Sequence, residues 1–325
     1  MSIAAAKWAS QPVYALAKLK VADHLADGER TTAELAARLQ IRPEPLRRCL
    51  RAAASVGVFQ ETRPDHWALT ETADHLRTDA PVSLRDLVVL LGEPTMWEPF
   101  GRIMDVLRDG APAFDSVHGR SLYDHLAGDP GLSDVYQGAW SPLTRAVMSA
   151  VADAYDFSPF TTVADLGGGD GTALRVLLDA YPHLNGILLD LPHALRAQRT
   201  PADGTAGRIR TVPGRLPDGV PPGADVYLLK NTLHCLPPDA LARTLRRVRE
   251  AMPRPDQRLL IVEAVIQPGN AFDWSKLMDI EVMITNGGGE HTLDEWEELL
   301  RKAGFHLASF HETLPPQWLL EAVPS

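Results

Sequence analysis

Three titratable residues stand where apolar runs give way to turns. His234 follows the run Val226–Lys230, Glu263 ends the run Leu259–Glu263, and Glu290 lies in the loop Gly287-Gly-Gly-Glu-His-Thr292. A single histidine at a sheet edge is more often structural, but two acids at related places give an imidazole partners that can orient it and share its proton. A second cluster is defined by shape: Thr162-Val-Ala-Asp-Leu-Gly-Gly-Gly-Asp-Gly-Thr172, an apolar run that stops at glycines and continues as Ala173–Leu178. Gly167, Gly168, Gly169 and Gly171 permit positive φ and close approach of a ligand, and the helix start beyond them offers unpaired N–H groups. About twenty residues on, Ile187-Leu-Leu-Asp190 reads as the next strand ending in a carboxylate, the placement that binds ribose hydroxyls. The turn lacks the full dinucleotide fingerprint and puts Asp170 where a diphosphate would approach, which favours a cationic nucleoside such as S-adenosylmethionine.

These residues need a sheet to hold them. From Phe160 onward the chain alternates strand and helix: Val163–Leu166, Ile187–Asp190, Ile209–Val212, Val226–Lys230 and Leu259–Glu263 read as strands, with helices after the first two and over 239–252. A parallel sheet covered on both faces follows. The tail, Phe305–Phe310 and Trp318–Val323, reads as an antiparallel pair at the sheet edge. Upstream, Ala4–Leu25 has apolar residues at mostly helical spacing, Thr31-Thr-Ala-Glu34 is a capping box, and Pro43 opens a helix that Gly57 ends. Val58-Phe59 and Trp67–Leu69 then form a small hairpin, completing a winged-helix pattern. Leu84–Asp156 reads as helices broken by Gly92, Pro94, Gly110, Pro112, Gly119, Pro130 and Pro142. The division expected is 1–80, 81–156 and 157–325.

The net charge of −10 and a pI near 5.5 argue against a nucleic-acid or anionic-membrane surface, and within 1–80 the bases are nearly matched by acids. Cys49 and Cys235 have no metal-ligand or disulfide spacing, which fits a reducing cytoplasm. Neither a leader nor an apolar run of about 20 residues is present, so a soluble cytoplasmic protein is expected. No metal cluster is evident.

Four motifs follow one another in a specific order: Asp165-Leu-Gly-Gly-Gly-Asp-Gly171, Leu189-Asp-Leu-Pro-His193, Leu228-Leu-Lys-Asn-Thr-Leu-His234 and Gly287–Thr292. In that order and spacing the chain resembles the S-adenosylmethionine-dependent small-molecule O-methyltransferases, and is similar to bacterial members that tailor natural products. The resemblance implies a seven-stranded Rossmann-like α/β sheet of the class I methyltransferase type behind an N-terminal winged-helix dimerisation domain, and a homodimer. It makes His234 the general base, with Glu263 and Glu290 placing and polarising its imidazole, and a phenolic hydroxyl the expected acceptor. Gly167, Gly169, Asp190, Leu191, Arg215, Leu216 and Lys230 fall at cofactor positions. Tyr136 and Trp140 match positions that flank the acceptor. Met278, Glu281 and Thr285 share one face of the helix from Asp273 and would line the acceptor side. A carboxylate at 281 is either solvated or aimed at a polar or amine-bearing acceptor.

Two departures stand out. Cys235 follows His234 where the family commonly has Asp, and Gly214-Arg215-Leu216 stands where it reads Gly-Asp-Phe or Gly-Asp-Met, with that Asp near the adenine. These leave open a homologue that binds the same cofactor but performs a decarboxylation, hydroxylation or cyclisation. A winged-helix regulator is the third reading, disfavoured by charge.

Overall fold

Local signals in the N-terminal third act as the sequence demands. Thr31 caps the helix Thr32–Leu39 by accepting the Glu34 N–H, while the Glu34 carboxylate accepts that of Thr31 at 2.7 Å, a complete capping box. Pro43, which has no N–H to leave unpaired, opens the helix Pro43–Ala54. A computed structural model describes residues 3–196 and 207–325, and the chain divides into two compact units: Met1–Glu98 with Asp134–Leu143, and Pro99–Ser133 with Thr144–Ser325. The segment 81–156 is thus shared between them.

In the first unit, strands β1 (Arg30–Thr31), β2 (Phe59–Arg63) and β3 (His66–Leu69) form a sheet in the order β1-β3-β2. Its core gathers Leu16 from the helix Lys7–Lys18 with Leu35, Leu50, Phe59 and Trp67. The hairpin is longer than expected because Gln60–Arg63 is exposed and polar, so no apolar alternation marks it. Tyr136 and Trp140 make an edge-on pair, with centroids 6.4 Å apart and planes at 67°.

One expectation fails here. Pro142 does not break the chain, because Pro130–Ala154 is a single helix of 25 residues. An internal proline forfeits one ladder bond and costs about 3 kcal/mol. Packing outweighs that loss: Val135 joins the first unit's core, and Val147, Met148 and Val151 are buried in the second's.

The second unit is built on β4 (Thr162–Leu166), β5 (Asn185–Asp190), β6 (Ile209–Pro213), β7 (Val226–Lys230), β8 (Arg258–Ala264), β9 (Phe305–Glu312) and β10 (Gln317–Pro324). These seven strands run in the order β6-β5-β4-β7-β8-β10-β9, all parallel as far as β8, with β10 antiparallel to β8 and β9. Strand periodicity of two sends alternate residues to opposite cores. Tyr227, Leu229, Leu259 and Ile261 pack on one face with Leu245, Trp296 and Leu300, while Val226, Leu228, Leu260 and Val262 pack on the other with Met148, Leu174 and Leu177. Both faces being covered, β4, β7 and β8 are near-continuous apolar runs, and apart from Thr162 and Arg258 at their starts their polar exceptions fall at or near their carboxyl ends. No helix among the described residues is long and apolar enough to cross a membrane.

Candidate active site

Ligands of open parallel sheets bind beyond the carboxyl ends of the strands, and the predicted residues converge there. β4 ends at Leu166, and Gly167, Gly169 and Gly171 then take φ of 77°, 61° and 80°, a left-handed path that side chains resist. A Cβ on Gly167 would lie 2.6 Å from Thr232 Cγ2, and one on Gly168 would lie 2.2 Å from Asp165 Oδ2, so the turn cannot be built from larger residues. Asp190, at the end of β5, receives the Gly169 N–H on Oδ2 and the Leu191 N–H on Oδ1, each at 2.6 Å. Each oxygen retains a lone pair. Burial raises the Asp190 pKa and the two amides oppose that rise. A glycine cradle too tight for a Cβ, beside a carboxylate with acceptor capacity left over, fits the adenosyl and methionyl parts of S-adenosylmethionine.

Beneath the cradle, Asp165 is fully buried, and neither of its side-chain oxygens has a hydrogen-bond partner. Burial, with Asp190 nearby, pushes its pKa up to about 7. Lys230 ends β7 and donates to Thr144 Oγ1 at 3.0 Å. Burial lowers its pKa to about 8 despite Glu263 and Asp165. Arg215 turns to Asp124 at 2.8 Å, an exposed pair worth little. It lines a shallow cavity with Leu189, Val212 and Gly214, while Leu216 packs against the core on that side of the sheet.

The second cluster is made by a turn. Asn231 follows Lys230 with φ 50°, a conformation asparagine tolerates, and Leu233–Cys235 is a short 3-10 turn. His234 Nδ1 lies 2.7 Å from Glu290 Oε1 and 3.6 Å from Glu263 Oε2. All three residues are buried. Glu263 Oε1 accepts the N–H groups of Thr232 and Leu233, each at 2.9 Å, which fixes that carboxylate beneath the turn. The Glu290 loop is clamped to the main chain of the histidine: Gly289 N–H donates to the His234 carbonyl at 3.0 Å, and a Cβ on Gly288 would lie 2.0 Å from that oxygen. Asp279 Oδ1 holds the Glu290 N–H at 2.9 Å.

Burial acts to lower the His234 pKa, but the neighbouring Cys235, Glu263 and Glu290 carry it well above its ordinary value. Burial raises that of Glu263. Potential donor atoms of the three residues lie within 4.8 Å of one another. Contact of Nδ1 with Oε1 at 2.7 Å is a hydrogen bond and leaves no room for an ion between them.

On the helix Trp274–Thr285, capped by Asp273, Met278 and Glu281 are partly buried and Thr285 is buried, its hydroxyl donating to the Glu281 carbonyl. Asp165, Thr144, Asn231, Asp279 and Gly288 belong to the site and were not singled out for it from sequence. Asp165 was legible as an acid inside an apolar strand. The others depend on contacts between segments distant in the chain.

The O-methyltransferase domain family matches residues 100–306, and the O-methyltransferase dimerisation domain family matches residues 1–79. The phenazine O-methyltransferase of Lysobacter antibioticus is 36% identical over 319 residues, covering 98% of this chain and 93% of that protein. O-demethylpuromycin-O-methyltransferase of Streptomyces alboniger is 34% identical over 318 residues, covering 94% and 84%. Among solved structures, LaPhzM superposes with a TM-score of 0.94 at 35% identity, covering 100% of this chain and 98% of that one. NcsB1, an O-methyltransferase from neocarzinostatin biosynthesis solved with S-adenosylmethionine and 2-hydroxy-5-methyl naphthoic acid, gives 0.85 at 30% identity, covering 98% and 96%. A glycine cradle with its carboxylate, a buried histidine between two glutamates, and these matches along the whole chain place the protein in the S-adenosylmethionine-dependent O-methyltransferase family.

Proposed function

We propose that the chain methylates a phenolic hydroxyl of a natural-product intermediate, with His234 as the general base. The observation that carries this reading is the 2.7 Å contact between His234 Nδ1 and the buried Glu290 carboxylate. S-adenosylmethionine, when bound, supplies an electrophilic methyl group. Gly167, Gly169, Asp190 and Leu191 hold it, with Arg215, Leu216 and Lys230 at its margins. Met278, Glu281 and Thr285 line the acceptor side.

A phenol of pKa near 10 is a weak nucleophile at neutral pH. Nε2 takes its proton as the oxygen attacks, while Nδ1–H stays on Glu290, so the new imidazolium forms against a carboxylate already in place. Glu263 steadies the turn beneath it. Because the groups facing His234 raise its pKa, activity rises with pH as the imidazole loses its proton and becomes able to act as a base. Bound as a homodimer through residues 1–79, the chain would also cover Trp8, which is 73% exposed.

The test is His234→Ala. Base catalysis supplies about 10²–10⁴-fold, so S-adenosylhomocysteine formation should fall by about 10²-fold or more with cofactor affinity retained, and higher pH should rescue part of it. Wild-type protein that binds S-adenosylmethionine, forms no S-adenosylhomocysteine with any phenol and still converts a pathway intermediate would overturn the assignment in favour of a non-methylating reaction.

A further inference from the structure

Most buried acids of the second unit have visible employment. Asp190 takes two amides, Glu263 takes two, Glu290 holds the imidazole, and Asp225 caps the start of β4 through Thr161 and Thr162. Glu281 has none: its side chain is partly buried yet makes no hydrogen bond or ion pair with any described residue. Much of its helix is committed, although Trp274 and Leu277 are exposed. Ile280, Met283 and Ile284 pack against Val106 and Ala113, Val282 and Ser275 are buried, and Asp279 grips the Glu290 loop. Burial alone pushes the Glu281 pKa up to about 7, and neither Lys276 and Asp279 on its own helix nor Asp115 and His118 on the packed helix Ala113–His118 contributes. The sequence left two fates for this acid, solvation or a polar acceptor, and its partial burial without a partner favours the second.

Resting on the reading that this helix face lines the acceptor side, we propose that Glu281 is a specificity residue that accepts a hydrogen bond from an amino group on the acceptor, making amino-bearing aromatic hydroxyls the preferred substrates. An ionised carboxylate only accepts, so its partner must donate. An amino group brings up to two N–H donors and, where it is basic, a charge that offsets the cost of burying the carboxylate. The amine is the handle, and the hydroxyl near His234 is the group methylated.

The experiment uses the full-length protein at pH 8 with S-adenosylmethionine and three matched fused-ring phenols that carry an amino group, a second hydroxyl or hydrogen at the same ring position. Wild type should favour the amino compound over the hydrogen compound by about 10- to 100-fold in kcat/KM, and over the dihydroxy compound as well. In Glu281→Leu the amino-to-hydrogen ratio should collapse to within about threefold, with Glu281→Gln in between. A ratio near one in wild type, a preference for the dihydroxy compound, an unchanged ratio in Glu281→Leu, or methyl placed on the amine would each overturn the proposal. If no compound yields S-adenosylhomocysteine, the methyl-transfer reading has failed instead. Calorimetric binding of the same three compounds with S-adenosylhomocysteine present then decides the handle separately, by the same ratio.

Discussion

Glu290→Gln isolates the charge behind the imidazole, because glutamine keeps the shape of the side chain and the Gly287–Gly289 loop can stay where it is. In the native protein Nδ1–H donates to Oε1 across 2.7 Å in a buried setting. A hydrogen bond to a charged group contributes about 1.5–3 kcal/mol against about 0.5–1.5 for a neutral one. The imidazolium that needs the charge is fully formed only as the acceptor proton leaves, so the loss falls on the transition state. Between about 1 and 3 kcal/mol corresponds to a fall in kcat of roughly 5- to 150-fold. Cofactor affinity should not move, since the cradle at Gly167–Gly171 is built by other residues. The pH profile should move as well: without the carboxylate the His234 pKa drops, and the rising limb shifts to lower pH. Glu263→Gln should cost less, because Oε1 of that residue serves two amides that a glutamine carbonyl can still satisfy. The assay is S-adenosylhomocysteine release at saturating substrates from pH 6 to 9, with cofactor Kd by calorimetry. A kcat within twofold of wild type and an unmoved limb would refute the reasoning.

Asp190→Ala removes an acceptor of charge-assisted bonds worth about 1.5–3 kcal/mol, so cofactor Kd should rise tenfold or more while the circular dichroism spectrum is kept; unchanged affinity would place the cofactor elsewhere. Gly288→Ala would put a Cβ 2.0 Å from the His234 carbonyl oxygen. Forced displacement of that loop costs about 1–3 kcal/mol, and kcat should drop at least tenfold, with a lower Tm; a variant that melts and turns over like wild type would mean the clamp is not what seats Glu290. Light scattering at micromolar concentration should give a dimer mass, and a monodisperse monomer would sink the homodimer.

The parallel sheet was readable because its strands are buried on both faces: β7 is found at Val226–Lys230 as expected, and β4, β5 and β8 differ only at their ends. His234 and Glu263 stood out for a related reason, each lying at or just past the end of an apolar run, whereas Glu290 stands in a glycine-rich loop and was joined to them through the resemblance; the structure brings the three together. What sequence could not supply is pairing across the chain. Nothing around Thr144 or Asp279 announces that one meets Lys230 and the other Glu290, because those contacts join segments 86 and 11 residues apart. Pro142 misled for a different reason, a local penalty overridden by packing along the 25-residue helix Pro130–Ala154. Its second half is buried under the sheet.

The main chain of His234 is gripped from behind. The His234 carbonyl takes the Gly289 amide, and the amides of Thr232 and Leu233, just before it, rest on Glu263. Peptide groups do this work, and every residue type but proline brings the same N–H. The main chain beneath the imidazole is therefore held without calling on the side chain at 235, and Cys235 is left to act on the ring itself, whose pKa it raises. That separates two properties that usually trade against each other. Placement of the main chain is written into glycines, amides and the Glu263 carboxylate, while acidity around the ring can be retuned at 235, by evolution or by design, with that backbone left untouched.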